Sequence, residues 1–136
     1  MFDMSAEQPG LWMKLLAISI GATLGAWSRW GLALWLNPGP DRFAWGTFCA
    51  NLAGAYVIGL ALSYTFAHPE WSPTLRLLLV TGFLGALTTF STFSAETVTY
   101  LMSGRTGLAA IYVSASLMGS LLLTLAGWMT LQWLKG

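Results

Sequence analysis

Residues 43–69 read FAWGTFCANLAGAYVIGLALSYTFAHP, with no Asp, Glu, Lys or Arg from one end to the other. A helix needs roughly 18 to 20 apolar residues to cross the hydrocarbon core of a bilayer, and this run is longer than that. Working outward, two further uncharged runs lie between Arg76 and Glu96 and between Arg105 and Lys135. A fourth apolar stretch precedes Arg42 and is interrupted only by Arg29. The whole chain is 56% hydrophobic and 8% charged, against about 25% charged for an ordinary soluble domain. So few charges cannot cover the surface of a soluble fold of 136 residues. The reading is an all-α integral membrane protein, a single domain over residues 1–136 with spans at about 11–36, 45–67, 74–102 and 107–134.

The segments between the spans are NPGPDR (Asn37–Arg42), HPEWSP (His68–Pro73) and SGRTG (Ser103–Gly107), all rich in turn formers. They are too short to build a domain outside the membrane. Trp12, Trp35, Trp45, Trp71, Trp128 and Trp133 fall near span ends, as aromatic belts require. A net charge of +1 excludes a nucleic-acid binder, which needs a basic patch. Cys49 lies in an apolar run and reads as a small buried residue. His68 sits in a loop with no second histidine or cysteine at ligand spacing and reads as a solvated side chain. The opening MFDMSAEQPG lacks the basic start and small-residue cleavage site of a signal peptide, so the first span is expected to persist in the mature chain. No nucleotide-binding motif or catalytic constellation is present, and the chain is not read as an enzyme.

The cations are evenly divided. Four spans put both termini and the His68–Pro73 loop on one side with Lys14, Arg76 and Lys135, leaving Arg42, Arg105 and Arg29 toward the other. Three against three gives the positive-inside rule nothing to act on. One reading is a protein oriented by other means. The sharper one is dual topology, with copies inserted both ways and paired antiparallel.

Polar groups inside a membrane are costly, so their arrangement carries the functional information. Tyr112, Ser116, Ser120 and Thr124 recur every four residues in the last span and form a single slowly drifting stripe. Thr47 and Asn51 share that spacing in the second. Individual hydroxyls commonly serve as helix–helix glue. A ladder of four with an asparagine reads instead as a polar path. Small residues at the same spacing, Gly21/Gly25, Ala50/Gly54 and Ala115/Gly119, are surfaces for close helix contact.

The third span contains GFLGALTTFSTFS, Gly82–Ser94. Its glycines and β-branched threonines make a poor continuous helix, and non-helical backbone at membrane depth survives only where protein or a polar cavity satisfies it. Carbonyls freed there are ligands for a hard cation. Phe90 and Phe93 are either ordinary packing or, through their electropositive ring edges, part of an anion path. Arg29 and Glu96 are the ionisable groups at membrane depth. Arg29 either snorkels to the interface or acts inside, and Glu96 is a pore-mouth acid or a proton carrier.

Together, GATLGAWSRW (Gly21–Trp30), WGTFCANLAG (Trp45–Gly54) and GFLGALTTFSTFSAE (Gly82–Glu96) resemble the bacterial Fluc (CrcB-type) fluoride channel family, in order and over nearly the whole chain. Ala86 departs from the pattern, since the family often has a second glycine after Gly85. The extension before Leu11 matches nothing in it. The resemblance implies an antiparallel, dual-topology homodimer with a broken third helix and two fluoride pores flanking a central structural sodium ion. Backbone carbonyls of Gly85 and Thr88 from both copies would bind that sodium. Fluoride would pass Asn51, Phe90, Phe93, Thr47, Tyr112, Ser116 and Ser120, with Glu96 and Arg29 at the vestibule. The implied function is passive export of cytoplasmic fluoride across the bacterial inner membrane, giving fluoride resistance. Two alternatives stand beside it. One is a small dual-topology proton-coupled drug antiporter, which would want an acid where the first span has Arg29. The other is a non-transporting membrane scaffold subunit.

Overall fold

The computed structural model describes residues 4–136, with side chains described from Gly10 onward. Met1–Asp3, part of the extension read above as lacking a cleavage signal, lie outside the described residues. The elements are α1 (Met4–Leu36), α2 (Trp45–Ala67), α3 (Pro73–Arg76), a π-helical segment (Leu77–Leu84), α4 (Gly85–Leu87), α5 (Phe90–Met102) and α6 (Thr106–Lys135). Four helical stretches among the described residues are long and apolar enough to cross a membrane: Gly10–Leu36, Trp45–Ala67, Pro73–Met102 and Thr106–Lys135. The chain is an all-helical multi-pass membrane protein. The first helix starts earlier than the apolar run does, at Met4, because a helix need not stop where hydrocarbon gives way to water.

Two helix pairs organise the packing. α1 lies along the π-helical segment and α4, and α2 packs most extensively on α6. Both contacts include bare backbone. A Cβ at Gly21 would run into the Leu78 carbonyl, one at Gly25 into that of Phe83, and one at Gly82 would lie 2.7 Å from the Ile18 carbonyl. Between α2 and α6, Gly59 abuts the Thr124 carbonyl and Gly127 that of Tyr56. Lipid gives helices no hydrophobic reason to associate, so close backbone approach supplies the dispersion contact that holds them. Gly21/Gly25 thus lie where their spacing suggests.

The buried side chains form two clusters. One comprises Ala44, Phe93, Tyr100, Ala109 and Tyr112, with Phe43 and Phe48 against it. The other is Ala50, Leu84 and Leu87. Much of the remainder is apolar and exposed, including Trp12, Trp27, Trp30, Trp35 and Trp133, as a lipid-facing surface should be. Cys49 is half-buried and unpaired. His68 stacks on Tyr64 with ring centroids 4.4 Å apart, and its Nδ1 lies 3.1 Å from Glu70.

Candidate functional site

The third helical stretch stops at Leu87 and restarts at Phe90. Thr88 has φ −83° and ψ 151°, and Thr89 has φ −151° and ψ 122°, both extended. Asn51 on α2 reaches this point from the side. Its Oδ1 accepts from the Thr89 amide at 2.7 Å, and its Nδ2 donates to the Thr89 carbonyl at 3.2 Å. One hydrogen of the Asn51 amide remains available, since Nδ2 carries two. Thr89 in turn caps α5, its hydroxyl accepting from the Thr92 amide at 3.2 Å.

These bonds redirect two backbone donors. In a continuous helix the Thr89 amide would bond the Gly85 carbonyl, and the Thr92 amide would bond that of Thr88. Asn51 has taken the first donor and the Thr89 side chain the second. The Gly85 and Thr88 carbonyls are thereby released from the helical pattern, at one place and by named side chains. The Ala86 carbonyl between them accepts from Arg29 Nε at 3.0 Å, which ties α1 to the segment just before the interruption.

A cavity of about 420 Å³ adjoins this point, lined among others by Asn51, Gly85, Thr88, Phe90, Phe93, Ser116, Ser120 and Thr124. Phe93 is only 7% exposed, whereas Phe90 is 72% exposed; their ring centroids are 5.5 Å apart. The Ser116 hydroxyl is buried with no hydrogen-bond partner among the described residues. A buried hydroxyl left unpaired is destabilising, so the site retains an unmet polar group facing the place where Phe93 and Asn51 also converge.

Glu96, one α5 turn beyond Phe93, ends this line of polar groups. Thr47 donates to Glu96 Oε1 at 2.8 Å, and the Tyr112 hydroxyl donates to Oε2. Thr47 is 2% exposed and Tyr112 fully buried. The Tyr112 ring lies 5.3 Å from that of Phe93. The sequence-designated residues therefore fall into three groups. Asn51, Phe90, Phe93, Ser116 and Ser120 line the cavity with Gly85 and Thr88. Thr47, Tyr112 and Glu96 form a hydrogen-bonded set next to it. Arg29 stands apart on the Ala86 carbonyl. The sequence reading singles out neither Thr89 as a cap nor Tyr100; a Thr just ahead of the helical run from Phe90 is the N-cap signal that points to the first.

A family described as "CrcB-like protein, Camphor Resistance (CrcB)" matches residues 16–128. The chain belongs to the CrcB family. Within it, a protein of Bordetella petrii is 56% identical over 115 residues, covering 85% of this chain and 88% of that one. Another, from Acinetobacter baumannii, is 49% identical over 126 residues, 93% of this chain and 99% of its own length. A third, from Bordetella bronchiseptica, is 53% identical over 120 residues, 88% of this chain and 92% of that one. All three bear the name "Fluoride-specific ion channel FluC". The CrcB match runs from Leu16 to Trp128 and so contains the Asn51–Thr89 junction and the whole polar line from Ser120 to Glu96.

Proposed function

We propose that this protein is a fluoride-selective channel that lets fluoride leave the cytoplasm passively, down its electrochemical gradient. The observation that carries the reading is the near full-length likeness to CrcB relatives named as fluoride-specific ion channels. The site's chemistry agrees with it. Fluoride is small and strongly hydrated, so a pore must replace water with several donors, each weak enough to release the ion. Ser116, Ser120, the free Asn51 hydrogen and the Phe90 and Phe93 ring edges are such donors. No lysine or arginine side chain lines the cavity to trap an anion.

The cavity also argues for a dimer. Its lining is mostly apolar but carries the polar groups of Asn51, Thr88, Thr89, Ser116, Ser120 and Thr124, and it opens to one side of a single chain, with Phe90 uncovered. In a bilayer such a face needs protein against it. A second copy, inserted the opposite way as the three-against-three charge division permits, would close it. We read the Thr88–Thr89 interruption as the broken third helix of that assembly. The Gly85 and Thr88 carbonyls, released as described, are hard oxygen ligands of the kind a sodium ion takes. They would hold a structural sodium ion shared between two copies, fixing the helix breaks against each other.

The test is efflux from liposomes holding purified protein, followed with a fluoride electrode. Fluoride should leave and chloride should stay; comparable chloride efflux from the same vesicles overturns the reading. The antiparallel arrangement is tested separately, by labelling a C-terminal tag on intact cells. The tag should be found on both sides, and a tag wholly on one side excludes dual topology.

A further inference from the structure

The connection between α1 and α2 has little of its own to hold it. It contains two prolines and Gly39 at φ 145°, and Ala44 at the start of α2 offers no side-chain cap. Asn37 substitutes locally, its Oδ1 accepting from the Gly46 amide at 2.6 Å. Arg105 pairs with Asp41 at 3.2 Å, but both side chains are over a third exposed, and such surface pairs contribute little. Arg105 also donates to the Asp41 carbonyl, and a further tie is of another kind. The Tyr100 hydroxyl, on α5, donates to the Arg42 carbonyl at 2.9 Å and accepts from the Ala44 amide at 3.0 Å. Tyr100 is 2% exposed. These are bonds inside the protein, across 58 and 56 residues of sequence.

The two backbone groups so held flank a single residue, Phe43. The Phe43 ring stands edge-on to Tyr112, centroids 5.1 Å apart at 86°. Tyr112 is the residue whose hydroxyl donates to Glu96. Tyr100 itself touches Tyr112 only through a second edge contact at 5.5 Å. The loop also walls a cavity of about 380 Å³, lined by Asn37, Arg42, Thr92 and Glu96, through which Glu96 faces the outside of the polar line.

We infer that Tyr100 is a positioning residue for ion passage: by clamping the backbone on both sides of Phe43 it sets the Phe43 ring against Tyr112, and so sets the Tyr112–Glu96–Thr47 group at the end of the polar line. The inference rests on the channel reading above. Tyr100 lines this mouth and is absent from the wall of the larger cavity, and its hydroxyl has no role in the helix-to-helix packing made by the glycines. A tyrosine serving only as a buried staple would change how much protein folds. A positioning tyrosine changes what each folded channel conducts.

Single-channel recording in planar bilayers separates these, because unit current does not depend on how many copies fold. Tyr100→Phe keeps the ring and removes both bonds. Its unit fluoride current should fall roughly five- to tenfold, the scale of the two interhelical hydrogen bonds lost. Phe43→Leu keeps the Tyr100 bonds and removes the ring they aim, and it should lower the current to a similar degree. The double variant should conduct no less than Phe43→Leu alone, since residues acting through one another are not additive. Wild-type unit current in Tyr100→Phe, whatever its thermal stability, overturns the inference, and so do reductions that multiply in the double variant. Should Tyr100→Phe fail to give monodisperse protein, Phe43→Leu decides alone, and wild-type current there rejects it. Absence of fluoride current from the unaltered protein is a different result: it removes the channel reading and this inference with it.

Discussion

The two halves of the third membrane stretch are held in place by opposite means. From Leu77 to Leu84 the backbone is π-helical, the side chains are apolar save Thr81, and the grip on α1 comes from Gly21, Gly25 and Gly82, where side chains are missing. From Phe90 to Met102 the helix is regular and rich in hydroxyls, and its position depends on what Asn51, Thr89, Thr47 and Tyr112 donate or accept. One half is located by contact and the other by hydrogen bonds. The energies behind these differ. Interhelical hydrogen bonds in membranes average about 0.6 kcal/mol each, whereas a forced extra side chain in a tight contact costs about 1 to 3 kcal/mol or more. Damage to the first half should therefore appear as lost folding, and damage to the second as lost function in a protein that still folds.

The severest test of that division is Gly82→Leu. Its Cβ alone would meet the Ile18 carbonyl and the Gly21 and Ala22 backbone, and no rotamer relieves a collision of backbone with backbone. No monodisperse protein is expected on size-exclusion chromatography in detergent, and a well-behaved Gly82→Leu protein would break the comparison at its first term. Next comes Asn51→Asp, which sets a carboxylate oxygen where Nδ2 now donates to the Thr89 carbonyl and adds a negative charge beside the proposed anion path. The protein should chromatograph as wild type while fluoride efflux from liposomes falls below detection. Retained efflux would mean that the ion does not pass Asn51.

Phe93→Ile is milder in structure but still informative. The swap preserves bulk and removes the ring edge, so stability should drop by less than about 1.5 kcal/mol, measured as a small shift in thermal unfolding. Efflux should fall strongly; undiminished efflux reduces Phe93 to packing. The smallest effect belongs to the outer end of the first half, where the His68–Ser72 turn leads into α3. Glu70, fully exposed, has its carboxyl held below the usual 4.5 by a backbone hydrogen bond and then by His68. A depressed carboxylate pKa stabilises the fold above 4.5 and loses that contribution as pH falls through the lower folded value. Thermal unfolding should therefore differ little between wild type and Glu70→Gln below the depressed folded value, with the gap opening as pH rises through that value and complete above 4.5. A gap that widens on acidification instead would show that the turn is held otherwise.

What could be read in the sequence follows the same division. Charges are costly in lipid, so the uncharged runs between Arg42 and Glu70 and between Arg105 and Lys135 delimit the second and fourth spans to within about three residues, whereas the third, Pro73–Met102, runs past both Arg76 and Glu96. Spans expected at about 74–102 and 107–134 run Pro73–Met102 and Thr106–Lys135. Gly21 and Gly25 announce a contact face by spacing alone. The π-helical register from Leu77 to Leu84 leaves no such mark, because its apolar residues would suit an α-helix equally. Asn51 stands out as an asparagine at membrane depth, but its partner is 38 residues away, and only tertiary packing shows that Thr89 engages both ends of its amide. Thr47 and Glu96 likewise look like separate features until α2 and α5 lie side by side. Tyr100 is the least visible, since a tyrosine near a span end looks like any member of an aromatic belt.

The Thr88–Thr89 interruption has one more consequence, which concerns peptide dipoles. A helical run terminating at Leu87 presents its negative end there, and α5 presents its positive end at Phe90, each equivalent to roughly half an elementary charge. A continuous helix would cancel these two ends against each other in its middle. Here both signs lie within three residues at the middle of the stretch, partly answered by Arg29 on the Ala86 carbonyl and by Thr89 on the Thr92 amide, and fixed by backbone rather than by ionised side chains. A protonation event cannot switch them off, and no buried lysine or aspartate need be desolvated to create them. The same two-residue gap can thus attract a cation on one flank and an anion on the other, at any physiological pH.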